Sequence, residues 1–282
     1  MKIREMTLDG LERVSRGGTG ECWRIDDETL LKLYYEGMPE EWAIREKECA
    51  RTAFTIGVPT AISFEVVRVG NRLGVIYETL KGKTLSQQMK EHPEEIPEIG
   101  KKYADLAKTL HTVKGDSSRF GRSTDVIRKE LPKIDFAPEK TVGRIGGFLD
   151  ELDTYTQYVH GDFHPNNVMV CGDELMLIDL GGFSVGCPLF DIATTRFCML
   201  DSPEAVSGGI SSFTGLSHEQ HVLFWNAFTA AYFEGETGED QLVKDVELLK
   251  RLRFERLYRY RFPDFETYFQ NIRDEVLERW GN

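Results

Sequence analysis

From Leu11 to Tyr35 the chain reads LERVSRGGTGECWRIDDETLLKLYY, apolar and polar positions alternating over short runs that break at RGGTG and at DDE. That pattern predicts short strands around two turns. Residues 57–80, GVPTAISFEVVRVGNRLGVIYETL, predict two or three further strands with a turn at Gly70-Asn71. Between these runs the period lengthens, and a helix is expected from Glu40 to Phe54 with Trp42, Cys49, Ala50 and Ala53 sharing a face. Ile99, Tyr103, Leu106, Leu110 and Val113 recur by alternate fours and threes, which marks an amphipathic helix over residues 95–113. The runs VMV and LMLI, parted by CGDE, read as a hairpin. Everything beyond it reads as helical. SHEQ opens one helix with a capping box, Ser217 as N-cap and Gln220 at the third position, and Val222, Trp225, Phe228 and Tyr232 follow on one side. Phe265, Phe269, Ile272, Val276 and Trp280 line the last helix. Strands first and helices afterwards predict an α+β chain in two lobes joined near ETLKGK.

Composition narrows the choices. A chain of 282 residues, 40% apolar and 29% charged, can bury a substantial core. Lys+Arg 35 against Asp+Glu 47, a formal charge of −12, argues against a nucleic-acid surface. The five cysteines form no CxxC pair and leave an odd count, as suits reduced thiols in a cytoplasmic protein. The opening MKIREMTLDGLERV carries charges where a signal peptide needs an apolar stretch. No run approaches the roughly 20 apolar residues of a membrane span. A soluble, cytoplasmic protein is expected, without nucleic-acid or membrane partners.

The chemistry sits around the hairpin. VHGDFHPNNVMVCGDELMLIDLGG places Asp162 five positions before Asn167, and Asp179 twelve beyond that. Phosphoryl transfer from a nucleotide needs a cover for the phosphates, a lysine, magnesium ligands and a group that orients the attacking hydroxyl. The protein-kinase spacing H-R-D-x-x-x-x-N followed by D-F-G supplies the last two, and His160-Gly161-Asp162, Asn167 and Asp179-Leu180-Gly181 follow that order.

With LIDLGGFSVGCPLFDIA completing the block through Gly186, Pro188 and Asp191, the sequence resembles the aminoglycoside phosphotransferase and choline kinase-like superfamily. The resemblance implies a bilobal protein-kinase-like fold, with a small β-rich nucleotide-covering lobe at 1–81 and a mainly helical catalytic and acceptor-binding lobe at 82–282. It implies that Asp162 positions or deprotonates the acceptor hydroxyl and that Asn167 and Asp179 hold Mg²⁺. RGGTGECWRI would cover the phosphates of ATP or GTP, and Lys32 would reach them, steadied by Glu46 on the following helix. Glu48 is the alternative partner for Lys32. GVIYETLKGKTL looks like the hinge, where backbone groups near Glu78 and Leu80 would meet the purine and Gly82 would ease the turn. Tyr77, just before it, either narrows the purine pocket or packs in the core. His160 would brace the loop.

Other readings fit less well. His160, Asp162 and His164 alternate as metal ligands of a hydrolase would, but Pro165 follows and no further His or Cys cluster completes a set. HEQH is one residue short of H-E-x-x-H, and GGTGECWR lacks the P-loop lysine. A protein kinase needs a long peptide-binding segment, and LGGFSVGCPLF leaves no room for one. From Asp201 to Lys250 acids dominate (Asp201, Glu204, Glu219, Glu234, Glu236, Glu239, Asp240, Asp245 and Glu247), a bias that would draw an amine-bearing acceptor such as an aminoglycoside or amino alcohol but that screened surface charge explains more simply. RLRFERLYRYR then holds five arginines that cannot share one helical face, which argues against a dedicated anion pocket and for pairing with the preceding acids, and leaves an anionic acceptor open as well. The rival from another class is a nucleotide-binding pseudokinase acting as sensor or scaffold, which the loose glycine turn alone supports.

Overall fold

The computed structural model describes residues 3–202, 214–235 and 241–281, so Glu204, Glu236, Glu239 and Asp240 lie outside the described residues. Two compact units emerge: residues 1–84 with 167–183, and residues 85–166 with 184–282. The hairpin expected with the helical lobe thus groups with the strands.

In the strand-rich unit, β1 (Arg4–Glu5), β2 (Glu12–Arg16), β3 (Gly20–Arg24), β4 (Thr29–Tyr34), β5 (Ser63–Val69) and β6 (Arg72–Glu78) form one sheet, with α1 (Glu40–Thr55) between β4 and β5. The order is β1-β5-β6-β4-β3-β2; β1 runs parallel to β5 and the other neighbours are antiparallel. Alternation along β4 sorts its side chains. Leu31 and Leu33 are fully buried on one face with Val67 and Ile76. Lys32 and Tyr34 occupy the other face, where Ala43 of α1 packs with Tyr34, Val66, Leu73 and Val75. α1 buries Ala43, Glu46, Ala50 and Ala53, spaced three, four and three. Trp42 sits beside that stripe and is 43% exposed, contrary to the expected face, its ring edge-on to Tyr34 with the ring centres 6.4 Å apart.

The same unit holds β7 (Lys83–Thr84), β9 (Val168–Cys171) and β10 (Glu174–Leu177), in the order β10-β9-β7. Opposing Cys171 with Glu174 leaves a two-residue turn at Gly172-Asp173, and opposing Val168 with Leu177 fixes the far end. Gly82 is needed here for close approach rather than to ease a turn, since a Cβ at that position would lie 2.0 Å from the Val170 carbonyl oxygen.

The helical unit runs through α2 (Leu85–Glu91), α3 (Ile96–His111), the short α4 (Ser117–Phe120) and α5 (Asp125–Arg128), α6 (Glu139–Leu152), α7 (Leu189–Arg196), α8 (His218–Tyr232), α9 (Gln241–Tyr258) and α10 (Glu266–Trp280). It is not wholly helical beyond the hairpin. β11 (Ser184–Gly186) pairs with β8 (Gln157–Val159), a three-residue ladder too short to leave an alternating pattern. On α3, Ile99, Tyr103, Leu106 and Leu110 are buried as the periodicity predicts. Ile145, Leu149, Phe190, Leu249, Leu252, Phe269, Ile272 and Val276 join α6, α7, α9 and α10 in a second core. Among the described residues no helix is long and apolar enough to cross a membrane.

The capping box expected at Ser217 and Gln220 is complete. His221 is buried, with Nε2 2.7 Å from the Thr214 hydroxyl. Burial, aided by His218, lowers its pKa from 6.5 to about 4. Protonation therefore favours the unfolded chain. The stabilisation is complete above pH 6.5 and is lost as pH falls towards 4, a difference on the order of 3 kcal/mol. Urea unfolding from pH 4 to 7 should show this acid-side loss, and His221→Gln should flatten it.

Candidate active site

Two sets of polar residues stand out, one in each unit. The set in the strand-rich unit centres on Glu46, a carboxylate on the apolar stripe of α1. Buried there, it requires partners. Lys32 supplies them from the middle of β4, its Nζ 2.7 and 2.8 Å from the two Glu46 oxygens. Tyr34 also donates to Glu46, and Tyr77 donates to its other oxygen at 3.0 Å. The alternative of Glu48 as the lysine's partner is thereby set aside.

Lys32 has a second carboxylate, Asp179 Oδ1, at 2.9 Å. Burial works to lower the lysine's pKa, but the charges of Glu46 and Asp179 outweigh it and hold the pKa above the ordinary value. Lys32 is thus a fixed cation, 14% accessible, beside an aspartate whose side chain is 45% accessible. Burial and the charge of Glu46 push the phenols of Tyr34 and Tyr77 upward, so both stay protonated donors. Glu46→Gln removes the charge that holds Lys32, and truncating one partner of a buried pair costs about 3–5 kcal/mol. For this isosteric change a stability loss at the lower end of that range is expected, read by chemical unfolding.

The hairpin register explains why Asn167 and Asp179 were fixed where they are. The Ile178 N–H donates to the Asn167 carbonyl at 3.0 Å, one step beyond the Val168–Leu177 pair, so the two residues stand at the same open end. Asp179 adopts a left-handed conformation, φ 60° and ψ 58°, uncommon for a residue with a side chain. Arg45 of α1 donates to the Phe183 carbonyl at 2.8 Å and holds the segment that follows. Glu78 and Leu80 lie at and just beyond the end of β6. The Glu78 N–H is taken by the Ile62 carbonyl at 2.9 Å, which leaves its carbonyl as the hinge group it could offer.

In the helical unit the loop after β8 is held by its backbone. Asp191, fully buried on α7, accepts from the N–H groups of His160 at 2.7 Å and Gly161 at 2.8 Å. Its Oδ2 also lies 3.0 Å from His111 Nε2, and His111 Nδ1 lies 2.8 Å from the Tyr232 hydroxyl. Burial opposes ionisation of Asp191, yet hydrogen bonding and charge from His111 and His160 keep its pKa below the usual value. Gly161 has φ +84°, which a glycine accepts without strain. Thr195 donates to the Phe163 carbonyl at 2.9 Å, and the Phe163 ring stacks on Tyr103 at 4.3 Å.

Clamped on both sides, Asp162 points outward with 56% of its side chain accessible, its Oδ2 3.4 Å from His164 Nε2. The surrounding atoms push its pKa up. The hydrogen bond with His164 and the electrostatic pull of His164, His160 and Lys250 more than offset this, and the carboxylate stays ionised well below its usual range. His160 does brace the loop, accepting the Asp162 N–H at Nδ1 over 3.2 Å. Among the described residues, His160, Asp162 and His164 form no compact three-ligand group.

The sequence reading missed Tyr34, Arg45, His111, Thr195 and Tyr232. It took Tyr77 for purine or core packing, where its hydroxyl serves Glu46. Tyr34 was recoverable, since it stands two residues from Lys32 and so shares its strand face. His111 was not, because its partner Asp191 is 80 positions away.

The model of the phosphotransferase enzyme family matches residues 50–214, more than half of the 282 residues. The chain belongs to the phosphotransferase enzyme family. Among solved structures, this phosphotransferase is similar to amicoumacin kinase hAmiN in complex with AMP-PNP, Ca²⁺ and Ami, at 14% identity and TM-score 0.65 over 98% of this chain and 90% of that one. It is also similar to the streptomycin–ATP–APH(2")-IIa ternary complex, at 18% identity and TM-score 0.57 over 92% and 90%. A third is a choline/ethanolamine kinase family protein from Mesorhizobium loti, at 17% identity and TM-score 0.54 over 96% and 86%. At these identities the likeness establishes the fold, a kinase-like α+β fold. No curated protein matches the chain with significance.

Proposed function

We propose that this phosphotransferase transfers the γ-phosphate of ATP to a hydroxyl group of a small molecule. The observation that carries the reading is the Lys32–Glu46–Asp179 arrangement: a buried, permanently charged lysine held by one carboxylate and set against a second, accessible one. Lys32 binds the phosphates, and Glu46, with Tyr34 and Tyr77, keeps it aimed. The donor set suits a hard cation, since Asn167 and Asp179 offer oxygens and Lys32 engages only Oδ1 of Asp179. Mg²⁺ held there would neutralise phosphate charge. The Glu78 carbonyl and the Leu80 backbone take the purine edge.

In the helical unit, Asp162 accepts a hydrogen bond from the acceptor hydroxyl and orients its oxygen for attack. The proton passes to the carboxylate as the new phosphate ester forms. With little covalent work for the protein, catalysis rests on positioning and charge. Solved relatives named for amicoumacin, streptomycin and choline or ethanolamine make hydroxylated amines reasonable first acceptors. The acidic bias of residues 201–250 lends this less support than the sequence suggested. Asp201 pairs with Arg196, Glu234 with Lys108, Asp245 with Arg279, and Glu247 lies 3.7 Å from Arg251.

Titration with a fluorescent ATP analogue tests the nucleotide half. Binding should require Mg²⁺ and weaken about tenfold or more in Lys32→Met. Binding indifferent to both would refute it.

A further inference from the structure

Most arginines of the RLRFERLYRYR segment are matched by acids. Arg251 faces Glu275 at 2.7 Å, and Arg256 and Arg259 face Asp135 at 3.6 and 2.7 Å. Two cations on the same helix are not matched. Lys250 and Arg253, three residues apart and therefore on one side of α9, make no ion pair or hydrogen bond with the described residues; Arg253 Nε is buried without an acceptor, as are the Nε atoms of Arg251, Arg256 and Arg259, but those three have carboxylates at their other nitrogens. Lys250 Nζ lies 5.8 Å from the centre of the Phe190 ring on α7, next to the Asp191 that clamps the catalytic loop. The carboxylates of Asp162 and Asp191 both act on Lys250 and offset part of the fall in pKa that burial imposes, while Arg253 repels it. Those carboxylates act on Lys250 without an ion pair or hydrogen bond to it, and an anion seated between Lys250 and Arg253 would offset both the remaining burial cost and the repulsion.

We propose that Lys250 and Arg253 bind a carboxylate or phosphate group of the acceptor, so that the substrate is an acidic alcohol whose hydroxyl is presented to Asp162. This rests on the phosphotransferase reading for the role of Asp162 and adds the chemical class of the acceptor. An amine elsewhere on the acceptor is compatible with it; a substrate that is cationic only is not. Lys250 and Arg253 would act together, the guanidinium holding two oxygens side by side and the ammonium adding a third donor.

The test is calorimetric titration of the whole chain, saturated with the non-hydrolysable triphosphate AMP-PNP and Mg²⁺, using malonate and inorganic phosphate as separate probes. Occupying the nucleotide site directs the probes to the acceptor side, and comparing them distinguishes a carboxylate site from a phosphate site. At least one should bind, and Lys250→Met and Arg253→Met should each weaken it about tenfold or more. Arg253→Lys, which keeps the charge but not the paired donors, should lose less affinity than Arg253→Met, and unchanged urea-unfolding midpoints in the methionine variants would show that the loss is not a folding defect. Failure of both probes to bind overturns the proposal, as does unchanged binding in both methionine variants. If the substitutions leave probe binding intact but weaken AMP-PNP, the cations serve the nucleotide and the proposal falls. None of these readings requires turnover, so anion binding without phosphate transfer would count against the enzyme reading and not against this site.

Discussion

Asp162→Ala is expected to lower kcat by about 10³-fold while leaving the Kd for nucleotide within about twofold. The separation follows from where the side chain stands. Asp162 belongs to the helical unit, its carboxylate is accessible, and its loop is fixed by groups other than itself: Asp191 through the amides of His160 and Gly161, and Thr195 through the Phe163 carbonyl. Removing the carboxylate should therefore leave the loop folded. What disappears is the acceptor for the substrate's hydroxyl proton. Because Asp162 is ionised well below the usual carboxylate range, the wild-type rate should show no loss from its titration across neutral pH. Steady-state kinetics beside equilibrium nucleotide binding checks the prediction, and near-normal turnover in the variant would remove Asp162 from the mechanism.

Asp179→Ala should fail in a different way. Here kcat/KM is expected to fall by about 10³-fold or more together with Mg²⁺-dependent nucleotide affinity. Asp179 offers a metal-ligating oxygen and also partners Lys32 at 2.9 Å, so its loss removes a cation ligand and changes the balance around the lysine. Lys32 keeps Glu46, Tyr34 and Tyr77 still converge on that carboxylate, and the Asp179 side chain is 45% accessible. Stability should therefore drop by no more than about 1 kcal/mol. Titrating Mg²⁺ against bound nucleotide, with a thermal melt as control, separates the two effects. A variant that loses turnover but keeps metal-dependent binding would shift the ligand role away from Asp179.

The order of strands and helices was legible because burial on one side imprints a period on the chain. β4 shows this, with Leu31 and Leu33 to one face and Lys32 and Tyr34 to the other, as does α3 with Ile99, Tyr103, Leu106 and Leu110. The capping box at Ser217 was equally plain, since its partners are three residues apart. Trp42 misled because a large apolar residue at the edge of a stripe matches the periodicity about as well as one inside it. β11 escaped because three residues carry too little pattern.

At the site, the polar residues on the hairpin and loop were singled out by their spacing, whereas Lys32 and Glu46 were singled out by the family resemblance, with Glu48 left open beside Glu46 until the Lys32–Glu46 contact showed the partner. The groups that hold them in place could not. His111 to Asp191, Thr195 to Phe163 and Arg45 to Phe183 are hydrogen bonds between residues far apart in the chain, and no local period encodes them. The same limit hid Lys250 and Arg253. In sequence they are two cations in a run of arginines, and they stand out only when the carboxylate partners of their neighbours are known.

The proposed reaction gives the strand-rich unit's Lys32 and Asp179 the nucleotide phosphates and the helical unit's Asp162 the accepting alcohol. Incubating the protein and Mg²⁺ with γ-labelled ATP and a mixture of hydroxylated amines, hydroxy acids and sugars tests it most directly. The label should appear on a small molecule with wild-type protein and remain on nucleotide with Asp162→Ala. Tight Mg²⁺-dependent ATP binding with no labelled acceptor, or equal labelling by the variant, would contradict it.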